Sequence, residues 1–179
     1  MDHARRRADH DTVSVLVLAD THAPRRWRGL PAALREPLAR ADLVLHAGDA
    51  GTAAVLDELR AATDAPLHAV LGNNDGDDVR AWGAQPTWEG VVGGVRLAML
   101  HETGPRAGRG RRMRVRFPDA DLVVYGHSHI PDDTIESGLR LFNPGSPTDR
   151  RRQPTGTYGV LTLGGGEVRR AAIVPLPPA

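Results

Sequence analysis

The chain has 179 residues, of which 40% are hydrophobic and 25% charged, and this composition is typical of a soluble globular protein of about one domain. It contains no cysteine, which excludes disulfide frameworks, thiolate metal sites and cysteine nucleophiles and favours a reducing compartment such as the cytoplasm. The 23 basic residues, all of them Arg, nearly balance the 22 acidic residues, so the net charge of +1 gives no overall attraction to nucleic acid or membranes.

The N-terminal residues differ in character from the rest of the chain. Residues 1–12 are polar, include Arg5 to Arg7 and lack an apolar region, so we expect a disordered tail rather than a secretion signal. No stretch approaches the roughly 18 consecutive apolar residues that a membrane span requires. Because no repeat, linker or break in composition follows, residues 13–179 are expected to form one domain.

The first part of the sequence alternates between apolar, β-branched runs and segments with apolar residues at helical spacing. Strands are predicted at 13–19, 42–49 and 67–75, and helices at 31–40 and 52–62. Thr52 is suited to cap the second helix. Alternation of this kind predicts a parallel sheet whose strands are joined by right-handed crossovers.

The second half of the chain is predicted to be rich in antiparallel pairs. Its predicted strands lie at 91–101, where a Gly-Gly turn separates two short strands, at 121–129, and in two hairpins at 133–142 and 158–174. With the first half, this predicts an α/β protein in which two sheets lie face to face and are flanked by helices.

Polar residues with metal-binding side chains follow the apolar runs. In open α/β sheets the ligand crevice lies beyond the carboxyl ends of the strands, so residues far apart in sequence are expected to meet there. In an Asp-x-His pair, alternate side chains share one side of the extended backbone and can bind one cation together. The candidate ligands are Asp20, His22, Asp49, Asn73, His101, His127 and His129. By contrast, His46 and His68 lie within apolar runs and are interpreted as core residues.

The number and chemistry of these candidates indicate the kind of metal site. Carboxylate and amide oxygens combined with imidazole nitrogens suit borderline divalent metals such as Mn, Fe, Co, Ni or Zn better than Ca. The seven candidates exceed what one catalytic site uses, so two ions are predicted. Asp49, central in chain order and at the end of a middle strand, is the expected bridge between them.

These segments resemble the calcineurin-like metallophosphoesterases, in particular the small YfcE-type phosphodiesterases. The resemblance extends over about Val13 to Pro175 and includes the turn Asn143-Pro144-Gly145-Ser146 and the strand start Tyr158-Gly159. The resemblance implies a four-layer αββα sandwich of two mixed sheets flanked by helices. It also implies two divalent metal ions, with Mn2+ expected first, and hydrolysis of small-molecule phosphodiesters by a hydroxide that bridges the ions. The implied ligands are Asp20, His22, Asp49 and His129 for one ion and Asp49, Asn73, His101 and His127 for the other.

The chain departs from the resemblance directly after Asn73. Many members of the superfamily have a His there, which is thought to help the leaving group, whereas this chain has Asn74. We expect Asn74 to donate a hydrogen bond to a phosphate oxygen and Asp75 to orient a metal ligand. The identity of the general acid stays open, with Glu102 and water as alternatives.

Two Arg clusters and one alternative function complete the interpretation of the sequence. The clusters are Arg106, Arg109, Arg111, Arg112, Arg114 and Arg116, and Arg150 to Arg152. For the first cluster, a solvated surface is favoured over a rim that binds an anionic substrate, and for the second both alternatives stay open. The sparse aromatic residues disfavour nucleic-acid binding by either cluster. The alternative function is a metal-binding interaction scaffold with little or no catalysis, because the fold also occurs in a retromer subunit. A homo-oligomer is left open.

Overall fold

The structure is a computed structural model that describes residues 12–177. The predicted N-terminal tail, apart from Thr12, lies outside the described residues. Within the described range, no helix is long and apolar enough to cross a membrane.

The helices and strands follow the predicted order. In the first half they are β1 (Val13–Leu18), α1 (Ala32–Arg40), β2 (Leu43–His46), α2 (Ala53–Ala61), β3 (Leu67–Ala69) and α3 (Asp77–Trp82). In the second half they are β4 (Thr87–Val92), β5 (Val95–Leu100), α4 (Arg109–Arg116), β6 (Leu122–Val124), β7 (Asp132–Glu136), β8 (Leu139–Asn143), β9 (Thr157–Gly164) and β10 (Glu167–Pro175).

The strands form two mixed five-stranded sheets. The first sheet has the order β10-β9-β1-β2-β3, in which β1, β2 and β3 are parallel and β9 is antiparallel to β1. The second has the order β4-β5-β6-β8-β7, in which β5, β6 and β8 are parallel and the two edge strands are antiparallel to their neighbours. The predicted parallel unit, the two sheets and both hairpins are therefore confirmed.

The sheets pack face to face, and helices cover their outer faces. Alternate residues of β1 serve both sides of its sheet, as expected for a strand buried on both faces. Val15 and Val17 lie in the core between the sheets, while Leu16 and Leu18 pack with apolar residues of α1 and α2. Met113 of α4 belongs to the core on the outer face of the second sheet. This is the four-layer αββα arrangement that the sequence predicts.

Two local features differ from the sequence prediction. Helix α3 is not predicted because its six residues are too few to show a periodic apolar pattern, although Asp77 and Asp78 in its first turn are typical of a helix start. Thr52 occupies the N-cap position of α2, but its side chain makes no capping hydrogen bond, so that expectation is wrong. The carboxylate of Asp78 instead accepts the Ala53 N–H at 2.8 Å, because α3 brings a charged acceptor to this helix end.

The topology places the predicted ligands at one edge of the molecule. Each of five candidates follows a strand of the parallel units by one to four residues: Asp20 after β1, Asp49 after β2, Asn73 after β3, His101 after β5 and His127 after β6. Because the carboxyl ends of parallel strands point the same way, both sheets contribute residues to a common crevice.

The close packing between the sheets predicts the effect of a small substitution at Gly159. A Cβ atom there would collide with the ring of the fully buried Phe142 and lie 3.2 Å from Cβ of Val17. Gly159→Ala is therefore expected to lower the free energy of unfolding by about 1 to 3 kcal/mol, measured by urea denaturation.

The control for this measurement is Gly76→Ala, whose added Cβ would meet only the Asp78 carboxylate, at 3.2 Å. Adding Phe142→Leu, which shortens the colliding ring, should make the effect of Gly159→Ala smaller than in the wild-type background. Equal unfolding free energies for the Gly159 and Gly76 variants would contradict this account of the core.

Candidate metal centre

The structure brings all seven predicted ligands into one contiguous cluster. One group contains Asp20, His22 and His129, whose ligand atoms lie within 4.8 Å of one another. The Nε2 atoms of the two imidazoles are 3.0 Å apart, and Oδ1 of Asp20 lies 3.4 Å from Nε2 of His129. Asp20 and His129 are buried, whereas His22 is partly accessible. Three potential donors thus converge from β1 and from the loop after β6.

The second group contains Asn73, His101 and His127. Oδ1 of Asn73 lies 2.9 Å from Nδ1 of His127 and 3.2 Å from Nε2 of His101. Asp49 lies between the groups: its Oδ2 is 3.4 Å from Nε2 of His101 and 3.6 Å from Nε2 of His22. The Asp49 carboxylate therefore lies within 4 Å of one imidazole of each group.

The backbone of this cluster is locally strained. Asp20, His22, Asp49, His127 and His129 have φ values between 50° and 69°, in the left-handed region. For a residue with a side chain this conformation costs about 1 to 2 kcal/mol. Among the other described non-glycine residues, only Ser137 and Arg151 have positive φ. Strain concentrated in this way is typical of functional sites, where the surrounding structure holds side chains in a required orientation.

Glycines allow the ligand loops to approach closely. At Gly48, where φ is +91°, a Cβ atom would lie 2.6 Å from Nδ1 of His101. At Gly72 a Cβ atom would overlap the backbone N and the carboxylate of Asp49. A side chain at either position would push the loop away from these two ligands, so the Gly-Asp and Gly-Asn-Asn-Asp segments need glycine for steric reasons.

Backbone carbonyl groups fix the orientation of two imidazoles. Nδ1 of His101 lies 2.8 Å from the carbonyl oxygen of Ala47, and Nδ1 of His129 lies 2.6 Å from that of Asp149. In each neutral ring Nδ1–H donates to the carbonyl, so the Nε2 lone pair faces the cluster. This is the arrangement by which proteins orient histidine metal ligands.

Asn74 and Asp75 both act on the Asp49 loop. The Asp75 carboxylate accepts N–H hydrogen bonds from Asp49 at 2.9 Å and from Gly51 and Gly72 at 2.7 Å each. The backbone N–H and the side-chain amide of Asn74 donate to Oδ1 and Oδ2 of Asp49 at 2.8 and 2.7 Å. Asp75 therefore holds the loop of Asp49. The Asn74 amide, which the sequence interpretation assigns to a phosphate oxygen, here donates to the Asp49 carboxylate.

The two central carboxylates have opposite electrostatic environments. Burial raises the pKa of Asp20 from 3.8 to about 7, and its Oδ2 atom is buried without a hydrogen-bond partner among the described residues. Burial also acts to raise the pKa of Asp49, but the nearby His101 imidazole and the hydrogen bonds from Asn74 outweigh it and hold that pKa well below its usual value. A divalent cation fits this donor set because it would satisfy Asp20 and neutralise both carboxylates.

The imidazoles complement these carboxylates. Burial is the largest effect and lowers the pKa of His22 and of His129, and it outweighs the opposing effects of Asp49 and Asp149 on His22 and of Asp149 on His129. Both rings are therefore neutral at neutral pH, which is the form that binds metals. For His101, burial acts to lower the pKa, but the carboxylates of Asp49 and Asp20 outweigh it and raise the pKa above its usual value.

Three residues that support the cluster carry no individual role in the sequence interpretation. The side-chain amide of Asn143 donates to the carbonyl of Gly126 at 2.9 Å, and the Ser146 hydroxyl donates to the carbonyl of Asp20 at 2.7 Å. Asp149 provides the carbonyl that orients His129. The Asn-Pro-Gly-Ser turn was the available signal, because two of these residues belong to it.

A cavity of about 460 Å3 opens beside the cluster. It is lined by His22, Arg25, Arg26, Asn74, Asp149 and Arg151. A larger cavity of about 640 Å3, between Pro31 and Leu176, contains none of the predicted ligands. The arginines beside the cluster therefore include Arg25 and Arg26, which the sequence interpretation does not single out.

The first Arg cluster has structural contacts instead. Arg109 donates to the Tyr125 hydroxyl at 2.6 Å. Arg112 donates to the carbonyl of Ala107 and Arg114 to that of Gly138, both at 2.8 Å. The Arg109 and Arg114 contacts tie α4 to Tyr125 and to the turn between β7 and β8, so these two arginines have a structural role and are neither a solvated face nor a substrate rim. The solvated-surface interpretation fits Arg106, Arg111 and Arg116, which are exposed.

The contacts of Asp75 predict that its charge is structurally important. Asp75→Asn replaces one acceptor oxygen by an NH2 group and turns that donor towards backbone N–H groups. We expect the free energy of unfolding to fall by about 1 to 3 kcal/mol, measured by denaturation without metal. Asp77→Asn, an exposed position in the next helix, is the matched control. Equal stability of the two variants would contradict a structural role for the Asp75 carboxylate.

The raised pKa of Asp20 predicts a pH-dependent stability in the presence of EDTA. Folding raises this pKa from 3.8 to about 7, so the native state binds the proton more tightly than the unfolded state between these values. The contribution of Asp20 to stability is therefore lost as the pH rises through this window. Relative to Asp20→Asn, wild-type stability should fall by on the order of 2 kcal/mol from pH 5 to pH 8. A difference that stays constant with pH would overturn the assignment of a buried, uncompensated carboxylate.

Comparison with known proteins establishes the family. The sequence-family model of the calcineurin-like phosphoesterase superfamily domain matches residues 13–166. A protein of Methanothermobacter thermautotrophicus named "Probable metallophosphoesterase" is 33% identical over 74% of this chain and 76% of its own length. Entamoeba histolytica Vps29 complexed with Zn2+ has a TM-score of 0.68 at 24% identity, covering 90% of this chain and 98% of that one. An archaeal phosphodiesterase has a TM-score of 0.70 at 19% identity, covering 91% and 99%. The chain therefore belongs to the calcineurin-like phosphoesterase superfamily, among its small YfcE-type members.

Proposed function

We propose that this protein is a phosphodiesterase that uses two divalent metal ions, with Mn2+ the first choice and Fe, Ni, Co and Zn the alternatives. The observation that carries the proposal is the position of Asp49 between two groups of oxygen and nitrogen donors. The superfamily membership and the fold shared with an archaeal phosphodiesterase support it. The substrate class is small-molecule phosphodiesters.

The proposed ligand assignment follows the two groups of donors. Asp20, His22 and His129 would hold one ion and Asn73, His101 and His127 the other, with Asp49 shared. Divalent ions in such a site lower the pKa of water and neutralise charge on phosphate oxygens. The mixed carboxylate, amide and imidazole set suits borderline metals better than Ca.

The protein's own groups would prepare this site for substrate. Asn74 and Asp75 fix the Asp49 carboxylate through four hydrogen bonds to it and its loop, so little reorganisation is needed on binding. The neutral imidazoles of His22 and His129 offer lone pairs without competing protons. Because Asn74 has no proton to transfer, protonation of the leaving oxygen falls to water or to the exposed Glu102, whose carboxylate is 3.8 Å from Nε2 of His127.

The second candidate function is a metal-binding interaction scaffold. The structural similarity to Vps29, one form of which is described as complexed with Zn2+, favours this alternative. The relative of 33% identity is named as a metallophosphoesterase and supports the enzyme. The two functions differ in one observable, since a scaffold would bind metal without hydrolysing diesters under any metal condition.

The central test is Asp49→Asn, assayed with bis(p-nitrophenyl) phosphate and Mn2+. Removal of a charge shared by both ions should reduce turnover by more than about 100-fold. Loss of a residue that only hydrogen-bonds a metal ligand already lowers metal affinity or activity by about 10- to 100-fold. Calorimetric titration with Mn2+ should show loss of at least one site. Asp77→Asn is again the control and should retain both properties.

Two outcomes would contradict the proposal. An Asp49→Asn protein with two tightly bound ions and undiminished turnover would exclude the shared carboxylate. A wild-type protein that binds Mn2+ but hydrolyses neither aryl nor nucleotide diesters would favour the scaffold.

A further inference from the structure

Two of the loops that line the cavity beside the cluster are tied to each other. One loop follows β1 and contains Arg25 and Arg26, and the other joins β8 to β9 and contains Arg151. The Thr148 hydroxyl of the second loop donates to the carbonyl of Thr21 in the first at 2.8 Å. The backbones of the two loops that carry these arginines are therefore held together next to His22.

The second loop is also anchored directly to a proposed ligand. The carbonyl of Asp149 accepts from His129, and the backbone N–H of Asp149 donates to the Ser146 hydroxyl at 2.8 Å. Arg151 follows two residues later with φ at +48°, a strained conformation for a residue with a side chain. The loop thus holds the Arg151 backbone in an unfavourable conformation at the rim of the cavity.

Only part of the positive charge around the cavity is neutralised by the protein. Nε of Arg26 lies 3.5 Å from the Asp149 carboxylate, and Arg150, outside the lining, donates to the carbonyl of Gln153. Within residues 12–177, Arg25 and Arg151 have no carboxylate at ion-pair distance, and both are exposed. Three guanidinium groups and one carboxylate line the cavity, so an excess of positive charge faces the space next to His22 and Asn74.

We propose that Arg25 and Arg151 form a subsite for a second phosphate group, so that the preferred substrates are phosphodiesters that carry an additional phosphate. This inference rests on the proposed phosphodiesterase function. Guanidinium groups match phosphate oxygens with paired hydrogen bonds and keep their charge at all physiological pH values. The volume of about 460 Å3 is sufficient for a small organic ligand.

The lining also indicates what the subsite does not recognise. It contains no Phe, Tyr or Trp on which a nucleobase could stack. Proteins that bind single-stranded nucleic acid combine basic grooves with such aromatic platforms. We therefore expect the subsite to select substrates by their additional phosphate rather than by their base.

The test uses two substrates with the same scissile bond and leaving group. These are thymidine 5′-(p-nitrophenyl phosphate) and its 3′-phosphorylated derivative, assayed with Mn2+ at low salt. We expect wild-type kcat/KM to favour the 3′-phosphorylated diester by about tenfold, as two charge-assisted contacts allow. The double variant Arg25→Gln/Arg151→Gln should lose most of this preference, mainly through KM.

The matched control is Arg28→Gln/Arg152→Gln, which removes the same charge from the same two loops at positions outside the lining. It should keep the wild-type preference. A preference lost equally in both double variants would reduce the effect to general electrostatics and overturn the subsite. Absence of any preference in the wild type would do the same.

A binding measurement separates this inference from the proposed function. By calorimetry without metal, wild-type protein should bind thymidine 3′,5′-bisphosphate about fivefold more tightly than thymidine 5′-monophosphate, and only the Arg25/Arg151 variant should lose this ratio. If this result holds but no diester is hydrolysed, the proposed function fails and the phosphate subsite stands. If diesters are hydrolysed but the binding ratio is near one in wild-type protein, the subsite fails and the proposed function stands.

Discussion

The structure of the candidate centre depends on the fixation of one carboxylate, that of Asp49. Asn74 donates to both of its oxygens, His101 and His22 approach it from opposite groups, and Asp75 holds its backbone. A charged group so far removed from water is stable only because donors surround it.

The centre has an energetic cost that the rest of the fold must offset. Five of the candidate ligand residues adopt left-handed backbone conformations, and Asp20 is buried with one oxygen unpartnered among the described residues. Such features persist only where surrounding structure determines them. Here the continuous core between the sheets, from Val15 to Phe142, and the loop ties of Asn143 and Ser146 provide that support. Burial of the Asp20 carboxylate therefore lowers the stability of the metal-free protein, and a bound cation would remove this cost.

Much of this architecture could be predicted because it follows from local patterns of apolar and polar residues in the sequence. The apolar runs of β1 and β2 and the polar residues that end them identify both the parallel sheet and the edge where ligands meet. The contacts between distant loops could not be predicted in this way. The hydrogen bond from Ser146 to Asp20 and the cavity lined by both Arg25 and Arg151 bring together segments more than 120 residues apart. Helix α3 could not be predicted because its six residues are too few to show a helical pattern of apolar residues. For the same reason the Asp78 carboxylate could not be predicted as an acceptor for the start of α2.

The most direct test of the dinuclear centre is a crystal structure with Mn2+, in which anomalous scattering at the manganese edge locates each ion. The account predicts two anomalous peaks, one among Asp20, His22 and His129 and one among Asn73, His101 and His127, with the Asp49 carboxylate in contact with both. A single peak at saturating Mn2+, or two peaks without Asp49 between them, would contradict it.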